Sequence, residues 1–266
     1  MVKYTLPRAP GSDLESGTKM PELAVLTPSY RRDAELFEDL HASVLAHTAP
    51  DVVHHVVCPP SDLHLFRRYV GPRCRVWTHR DFLPRRYVPI ANASGLAINL
   101  RRPWPPVRGW VVQQLMKMAA AAQIDATALL IADSDAVLVR HVRASDLTVD
   151  GRTAYCRVDG AVTAQMGRHV QWHKVARRLL QLPEAAELPL PDYVSAMSVW
   201  DSAVLIELKS RLEQVSGRNW LEMVASELHV SEFMLYGVFV DEVLRDRAAL
   251  QTPLCQEGYA KPSLKK

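Results

Sequence analysis

Between Leu23 and Arg140 the chain alternates short apolar, largely β-branched runs with stretches of helical period, and few architectures accommodate that order. "ELAVLTPSY" reads as a buried strand ending at Pro28. In "RRDAELFEDLHASVLAH" the apolar residues Ala34, Phe37, Leu40 and Val44 recur at helical spacing. "DVVHHVVCP" reads as a second strand, "SDLHLFRRYVG" as a short helix capped by Ser61 or Asp62 and stopped by Gly71, and "CRVWTH" as a third strand. A helix in "VRGWVVQQLMKMAAAAQ" then leads to the apolar run "ALLIADSDAVLVR". This pattern predicts an α/β fold, Rossmann-like, with a mainly parallel sheet flanked by helices and a more helical C-terminal half.

The rest of the chain fits one domain. Residues 1–20 mix prolines, glycines and serines without periodicity and read as a flexible leader. Residues 21–266 show no internal repeat and no strong boundary, so they are taken as a single unit: a nucleotide-binding half, 21–140, and an acceptor-binding half, 141–266. Asp81 to Pro106 holds Pro84, Pro89, Pro103, Pro105 and Pro106 and reads as irregular; a loop over 83–106 is expected to close over a ligand. In the second half, strands are expected in "RTAYCRV" and "DYVSAMSVW". Helices are expected in "RHVQWHKVARRLLQL", "DSAVLIELKSRLEQVSG" (closed by Gly217), "NWLEMVASEL" and "SEFMLYGVFVDEVLRDR".

The chemistry concentrates at Asp133 and Asp135. An apolar strand that ends in two aspartates one residue apart places two mutually repelling carboxylates on the same side, with Ser134 pointing away. In parallel sheets ligands gather outside the carboxyl ends of the strands. Two carboxylates there suit a hard cation, Mn²⁺ or Mg²⁺, whose remaining ligands are substrate phosphates. The plainer alternative is that both aspartates only cap a turn.

Other residues extend the picture. Thr27, Pro28, Ser29 and Tyr30 close the first strand just before a helix, where Tyr30 suits stacking on a base and Asp33 suits a ribose hydroxyl, or where Ser29 or Asp33 is simply an N-cap. Gln113, Gln114 and Lys117 cluster at helical spacing away from the apolar face Val111, Leu115, Met118 and Ala122, a set suited to a base, a ribose and a phosphate, or to a solvated face. Glu232, behind the expected N-cap Ser231, suits either the helix dipole or a general base that deprotonates an acceptor hydroxyl. Gly237 inside a helix points to close packing or close ligand approach. His169, His173 and His229 are candidates for a further metal ligand, and Trp172, Trp200 and Trp220 for the floor of an acceptor site or for the core.

Composition narrows the partners. A net charge of +3 over 266 residues, with arginine pairs short and scattered, excludes an extended nucleic-acid surface. Four cysteines without metal or disulfide spacing, no signal-peptide pattern and no long apolar run predict a cytoplasmic protein without a membrane span. Oligomeric state is not readable.

Taken in order, "LAVLTPSYRRD", "RGWVVQQLMKM", "LLIADSDAVLV", "RHVQWHKVARRLL", "DYVSAMSVWD", "RLEQVSGRNW" and "SEFMLYG" resemble a little-studied bacterial family of GT-A glycosyltransferase type. That family has long been known only as a domain of unknown function, and some members are encoded beside natural-product or surface-polysaccharide genes. The resemblance runs from about Leu23 to about Asp241. It implies a GT-A-like fold, a nucleotide-diphosphate sugar donor, a divalent cation, and a hydroxyl or amine acceptor on a small molecule or glycan. Asp133 and Asp135 match the DxD motif and also bring Ser134 to the donor. Gln114 and Lys117 match an amide-plus-lysine helix, and Glu232 an acid near the acceptor. With Glu232 as base the reaction inverts the anomeric centre; otherwise a retaining course stays open. Many GT-A enzymes complete the metal site with a C-terminal histidine. Nothing after His229 plays that part here, so another ligand or water is expected instead. Two alternatives remain. "LLIADSDAV" also fits the haloacid-dehalogenase phosphatase string, with Asp133 as nucleophile, although that motif belongs on a first strand and three strands precede it here. A non-catalytic nucleotide-binding protein is the other.

Overall fold

The computed structural model describes residues 22–90, 96–149, 152–184, 187–245 and 249–251; the expected leader, residues 1–20, lies outside them. The first half builds the alternation anticipated from the sequence. β1 (Leu23–Pro28), α1 (Ala34–His47), β2 (Val53–Cys58), α2 (Leu63–Phe66) and β3 (Cys74–Thr78) follow one another, with short 3₁₀ turns around α2. After α3 (His79–Phe82) come β4 (Tyr87–Pro89), β5 (Ala97–Asn99) and β6 (Arg102–Val107), then α4 (Gly109–Ala121) and β7 (Ala128–Ala132). The second half holds β8 (Thr148–Val149), β9 (Arg152–Cys156), β10 (Val158–Val162), α5 (Gly167–Leu179), β11 (Leu190–Asp192) and β12 (Met197–Trp200). It ends with α6 (Ser202–Ser216), α7 (Trp220–Ala225), α8 (Glu232–Val238), a π-helical turn Phe239–Leu244 and β13 (Ala249–Gln251).

A five-stranded sheet in the order β12-β7-β1-β2-β3 forms the centre, all parallel except β12. Its strands are apolar on both faces because helices cover both. Ala24, Leu26, Leu129 and Ile131 pack into a core with Val111, Leu115 and Met118 of α4. The alternate residues Leu23, Val25, Ala128, Leu130 and Ala132 pack with Leu40 and Val44 of α1. Period-two alternation thus distributes one apolar run between two cores. The second half contributes β12 to the same sheet, so the two halves share one scaffold.

The region 81–106 is not the irregular lid expected from its prolines. β4, β5 and β6 form an antiparallel sheet, and Phe82, Leu83, Tyr87, Ala97 and Val107 are buried in the main core; residues 91–95 lie outside the described set. β6, with three prolines in "RPWPPV", is a sheet edge, where missing N–H donors cost no ladder bond. The expected strand in "DYVSAMSVW" shortens to its last four residues. Asp62 does not cap α2: its carboxylate accepts from the Arg31 backbone N–H at 2.8 Å and from Arg31 Nε at 3.1 Å. Gly217, in the left-handed conformation at φ 64°, closes α6 as its type suggested. Trp172, Trp200 and Trp220 are core residues. Among the described residues no helix is long and apolar enough to cross a membrane.

Gly237 owes its place in α8 to packing, since a Cβ there would overlap the Tyr193 ring. Tyr193 in turn donates to Asp241 Oδ2 at 2.6 Å. Gly237→Ala should therefore lower stability by about 1–3 kcal/mol, because overpacking outweighs the roughly 1 kcal/mol gained in helix propensity. Urea unfolding measures this, and a stabilised variant would refute the packing account.

Candidate active site

The chain runs from β1 outward to β2 and β3, then returns to place β7 on the other side of β1. The strand order therefore reverses between β1 and β7, and in open parallel sheets ligands bind beside the two loops that leave the carboxyl ends at such a reversal. Both loops carry the residues singled out in the sequence.

The loop after β7 is a tight turn held from both sides. Ala136 N donates to Asp133 O at 3.0 Å, and Asp133 N donates to Ala196 O, also at 3.0 Å, beside β12. Ser134 is buried, and its hydroxyl donates to Ser29 Oγ at 2.9 Å, joining this turn to the one after β1. Ala136, Leu138 and Val142 then return to the core beneath α1, which explains why the apolar pattern resumes after the aspartates. Asp133 is half-buried and Asp135 is exposed, so both face outward from the turn that Ser134 anchors.

Lys117 is the unexpected element. Its ammonium is buried and lies 2.9 Å from Asp133 Oδ1 and 2.9 Å from Glu232 Oε1, with the Phe233 ring 4.7 Å away. Burial alone pulls a lysine pKa down; Glu232 and Asp133 more than offset it, and the group is held above its ordinary range. Lys117 therefore stays cationic across neutral pH. The solvated-face expectation for this helix is overturned, because Gln114 and Lys117 are both buried and only Gln113 is partly exposed. Gln114 Oε1 is buried without a hydrogen-bond partner among the described residues, one helical turn from Lys117.

Glu232 is corrected more sharply. It sits in the first turn of α8 behind Ser231, whose hydroxyl accepts from Met234 N at 3.3 Å as expected of an N-cap. Its side chain, however, is 2% exposed and faces Lys117. In this structure the Glu232 carboxylate is enclosed beside an ammonium and is not open to solvent, as a base that meets an acceptor hydroxyl would need to be.

The loop after β1 divides its residues. Thr27 is fully buried with its hydroxyl 2.9 Å from His54 Nε2, and His54 Nδ1 lies 3.0 Å from His41 Nδ1. Ser29 is committed to Ser134. The side chains of Thr27, Ser29 and Ser134 therefore hold the end of the sheet together rather than face solvent, while Pro28 and Tyr30 are half-exposed. Asp33 stands at the start of α1 but makes no capping bond. Its pKa is raised by burial and then by the charges of Asp135 and Asp133. Three carboxylates thus crowd the end of the sheet, with Lys117 bonded to only one of them.

That donor set fits a hard cation. Among the described residues no three His, Cys, Asp or Glu side chains gather closely enough to hold an ion alone. Asp133 and Asp135 are hard oxygen donors of the type that Mg²⁺ and Mn²⁺ take, and two such donors would leave the rest of an ion's shell to phosphate oxygens and water. The histidines are placed otherwise. His173 donates through Nε2 to Pro191 O at 2.6 Å, His169 lies 2.9 Å from Asp192, and His229 is exposed.

Sequence reasoning missed a cluster in the second half. Tyr155 and Tyr193 both donate to Asp241, at 2.7 and 2.6 Å, and Arg157 lies 3.2 Å from the same carboxylate. Its members come from β9, the link between β9 and β10, the segment after β11 and the π-helical turn, so no local spacing announced it.

With this geometry in view, the comparisons with known proteins can be placed. The chain belongs to the DUF6492 family. The family model, described as a family of unknown function, matches residues 23–256. No curated protein matches the chain. Two solved structures are similar to it. One is the apo bifunctional glycosyltransferase WbbM, with TM-score 0.47 and 10% identity, covering 90% of this chain and 40% of that one. The other is the apo form of mouse xyloside xylosyltransferase 1, with TM-score 0.45 and 9% identity, covering 86% and 84%. The DUF6492 chain thus spans well under half of the WbbM structure.

Two outcomes follow from the charges. Lys117→Met leaves Glu232 buried without a counter-charge and should cost about 3–5 kcal/mol, most of it recovered in the Lys117→Met/Glu232→Met double variant. Chemical denaturation of the three proteins checks this; an additive double variant would refute the pairing. Asp33→Asn removes one repelling charge. Because the folded-state pKa of Asp33 lies above its unfolded value of 3.8, its penalty is full above the folded pKa and absent below the unfolded one. In metal-free buffer the variant should melt higher than wild type at pH 7, with the gain fading as the pH falls toward 3.8. An unchanged melting temperature at pH 7 would contradict the crowding.

Proposed function

We propose that this DUF6492 protein is a metal-dependent, GT-A-like glycosyltransferase. In this proposal it moves a sugar from a nucleotide-diphosphate donor to a hydroxyl or amine of a small-molecule or glycan acceptor. The observation that carries the reading is the gathering of Asp33, Asp133 and Asp135 where the strand order reverses, with the buried ammonium of Lys117 2.9 Å from Asp133. The order of motifs shared with the GT-A type supports it.

The residues divide the work as follows. Asp135 and Asp133 hold Mn²⁺ or Mg²⁺. When bound, the cation neutralises charge that develops on the leaving diphosphate. Lys117 fixes one oxygen of Asp133 and leaves the other for ligation. Glu232 keeps Lys117 charged in its apolar surroundings and so acts as a positioning residue. Gln114, whose amide oxygen lacks a partner, meets a donor hydroxyl or base N–H; an orphaned buried acceptor otherwise costs about 1–3 kcal/mol. Tyr30 stacks on the base, and the backbone from Thr27 to Tyr30 borders the ribose. With Glu232 withdrawn from the acceptor, a retaining course stays open.

Thermal melting with a panel of nucleoside diphosphates, with and without Mn²⁺, tests the proposal. One nucleotide should stabilise the protein only with metal, by about 2.7 kcal/mol at a hundredfold excess over Kd. Asp135 is exposed, so Asp135→Ala should fold normally yet lose both that stabilisation and sugar transfer. A fully active Asp135→Ala would remove the metal role. Aluminium fluoride trapped on Asp133 would mark a phosphatase, and no response to any nucleotide would favour a scaffold.

A further inference from the structure

β5, β6 and α7 border an open cavity of about 280 Å³ whose wall includes Arg101, Arg102, Arg108, Arg218, Glu222 and Glu227. Both carboxylates are already compensated. Glu222 accepts from Arg101 at 3.0 Å and lies 3.4 Å from Arg86; Glu227 accepts from Arg178 through two bonds of 3.0 and 2.6 Å. Arg102, Arg108 and Arg218 are exposed and have no ion pair among the described residues. Three guanidinium groups around one cavity repel one another, and an anion relieves that repulsion.

We propose that this cavity binds a phosphoryl group carried by the acceptor, at a site separate from the donor diphosphate. Assignment to the acceptor rests on the glycosyltransferase reading; the anion site itself does not. Three uncompensated cations suit a dianion better than a single carboxylate, and guanidinium forks match phosphate oxygens in pairs. Arg108 immediately precedes α4, so the open N–H end of that thirteen-residue helix adds partial positive charge at the same wall. The volume lies at the small end of ligand pockets, which run to roughly 300–1,000 Å³, and suits a headgroup rather than a nucleotide. Lys117 lies eight residues beyond Gly109 on the same helix, about 12 Å along its axis, so one extended acceptor reaches from the cavity toward the aspartates. Leu100 and Trp104, on the same hairpin as Arg102, are 64% and 81% exposed and offer apolar surface beside the anion. The phosphoryl group therefore has two possible sources, a soluble phosphate ester and a lipid headgroup.

The test is calorimetric titration of inorganic pyrophosphate into the full chain in EDTA, which silences any metal-dependent binding. It is paired with co-sedimentation on phosphatidylcholine vesicles with and without phosphatidic acid. Wild type should bind, and Arg102→Gln/Arg218→Gln should weaken binding at least about tenfold, the value of one charge-assisted hydrogen bond. The variant should keep the metal-dependent nucleotide response. Arg218→Gln alone provides a second variant should the pair fold poorly. Pyrophosphate binding without vesicle binding identifies a soluble ester. Binding to phosphatidic acid vesicles that the substitutions abolish identifies a headgroup. Wild type binding neither probe, or variants binding as tightly as wild type, overturns the site. An intact anion site in a protein that ignores every nucleotide would instead remove the glycosyltransferase reading and leave the cavity standing.

Discussion

A single buried ammonium organises the end of this sheet. Lys117 stands within 2.9 Å of one carboxylate from the turn after β7 and one from the start of α8, and its side chain is buried with the Phe233 ring 4.7 Å from the ammonium. Burying any one of these charges alone is costly; together they offset one another. The contact also ties a turn of the first half to a helix of the second. The same interaction that stabilises the packing of α4 against α8 therefore fixes the orientation of Asp133.

That arrangement gives the two aspartates different surroundings. Asp133 has one oxygen held by Lys117 and a side chain 41% exposed, whereas Asp135 is exposed and without an ion pair among the described residues. Asp33 completes an excess of negative charge that Lys117 alone does not neutralise. Such an excess lowers the stability of the empty protein and favours a cation, so the strain and the proposed affinity have the same electrostatic origin.

The fold was legible where one rule governed a segment. β1, β2 and β7 are buried on both faces, and such strands read as unbroken apolar runs. β6 was illegible because its prolines obey the permissive rule of a sheet edge, which is invisible until its neighbours are known. At the site, the candidates Asp133, Asp135, Gln114 and Lys117 could be picked out from residue type and spacing, and the structure brings Lys117 to Asp133. The duty of Glu232 could not, because a first-turn acid that faces the helix dipole, an acceptor or a distant lysine carries the same local signature. Its partner is far away in sequence and meets it only through the packing of α4 against α8. The arginine cavity was hidden for the same reason: Arg102 and Arg218 look like two of many scattered cations until α7 packs against the small antiparallel sheet.

Helix α4 joins these observations. Ten of its thirteen residues are buried, yet that buried set includes Gln114 and Lys117, positions that apolar side chains would fill at lower cost. A chain selected only to fold has no reason to carry an orphaned amide and an ammonium through the middle of its core. Local rules broken in this way concentrate where binding or chemistry demands it. Here both violations fall on the stretch of α4 nearest the reversal in strand order, while its N-terminal end opens at the arginine cavity. In the proposed reading the helix is a positioning element as well as a packing one, with Gln114 and Lys117 set midway along it.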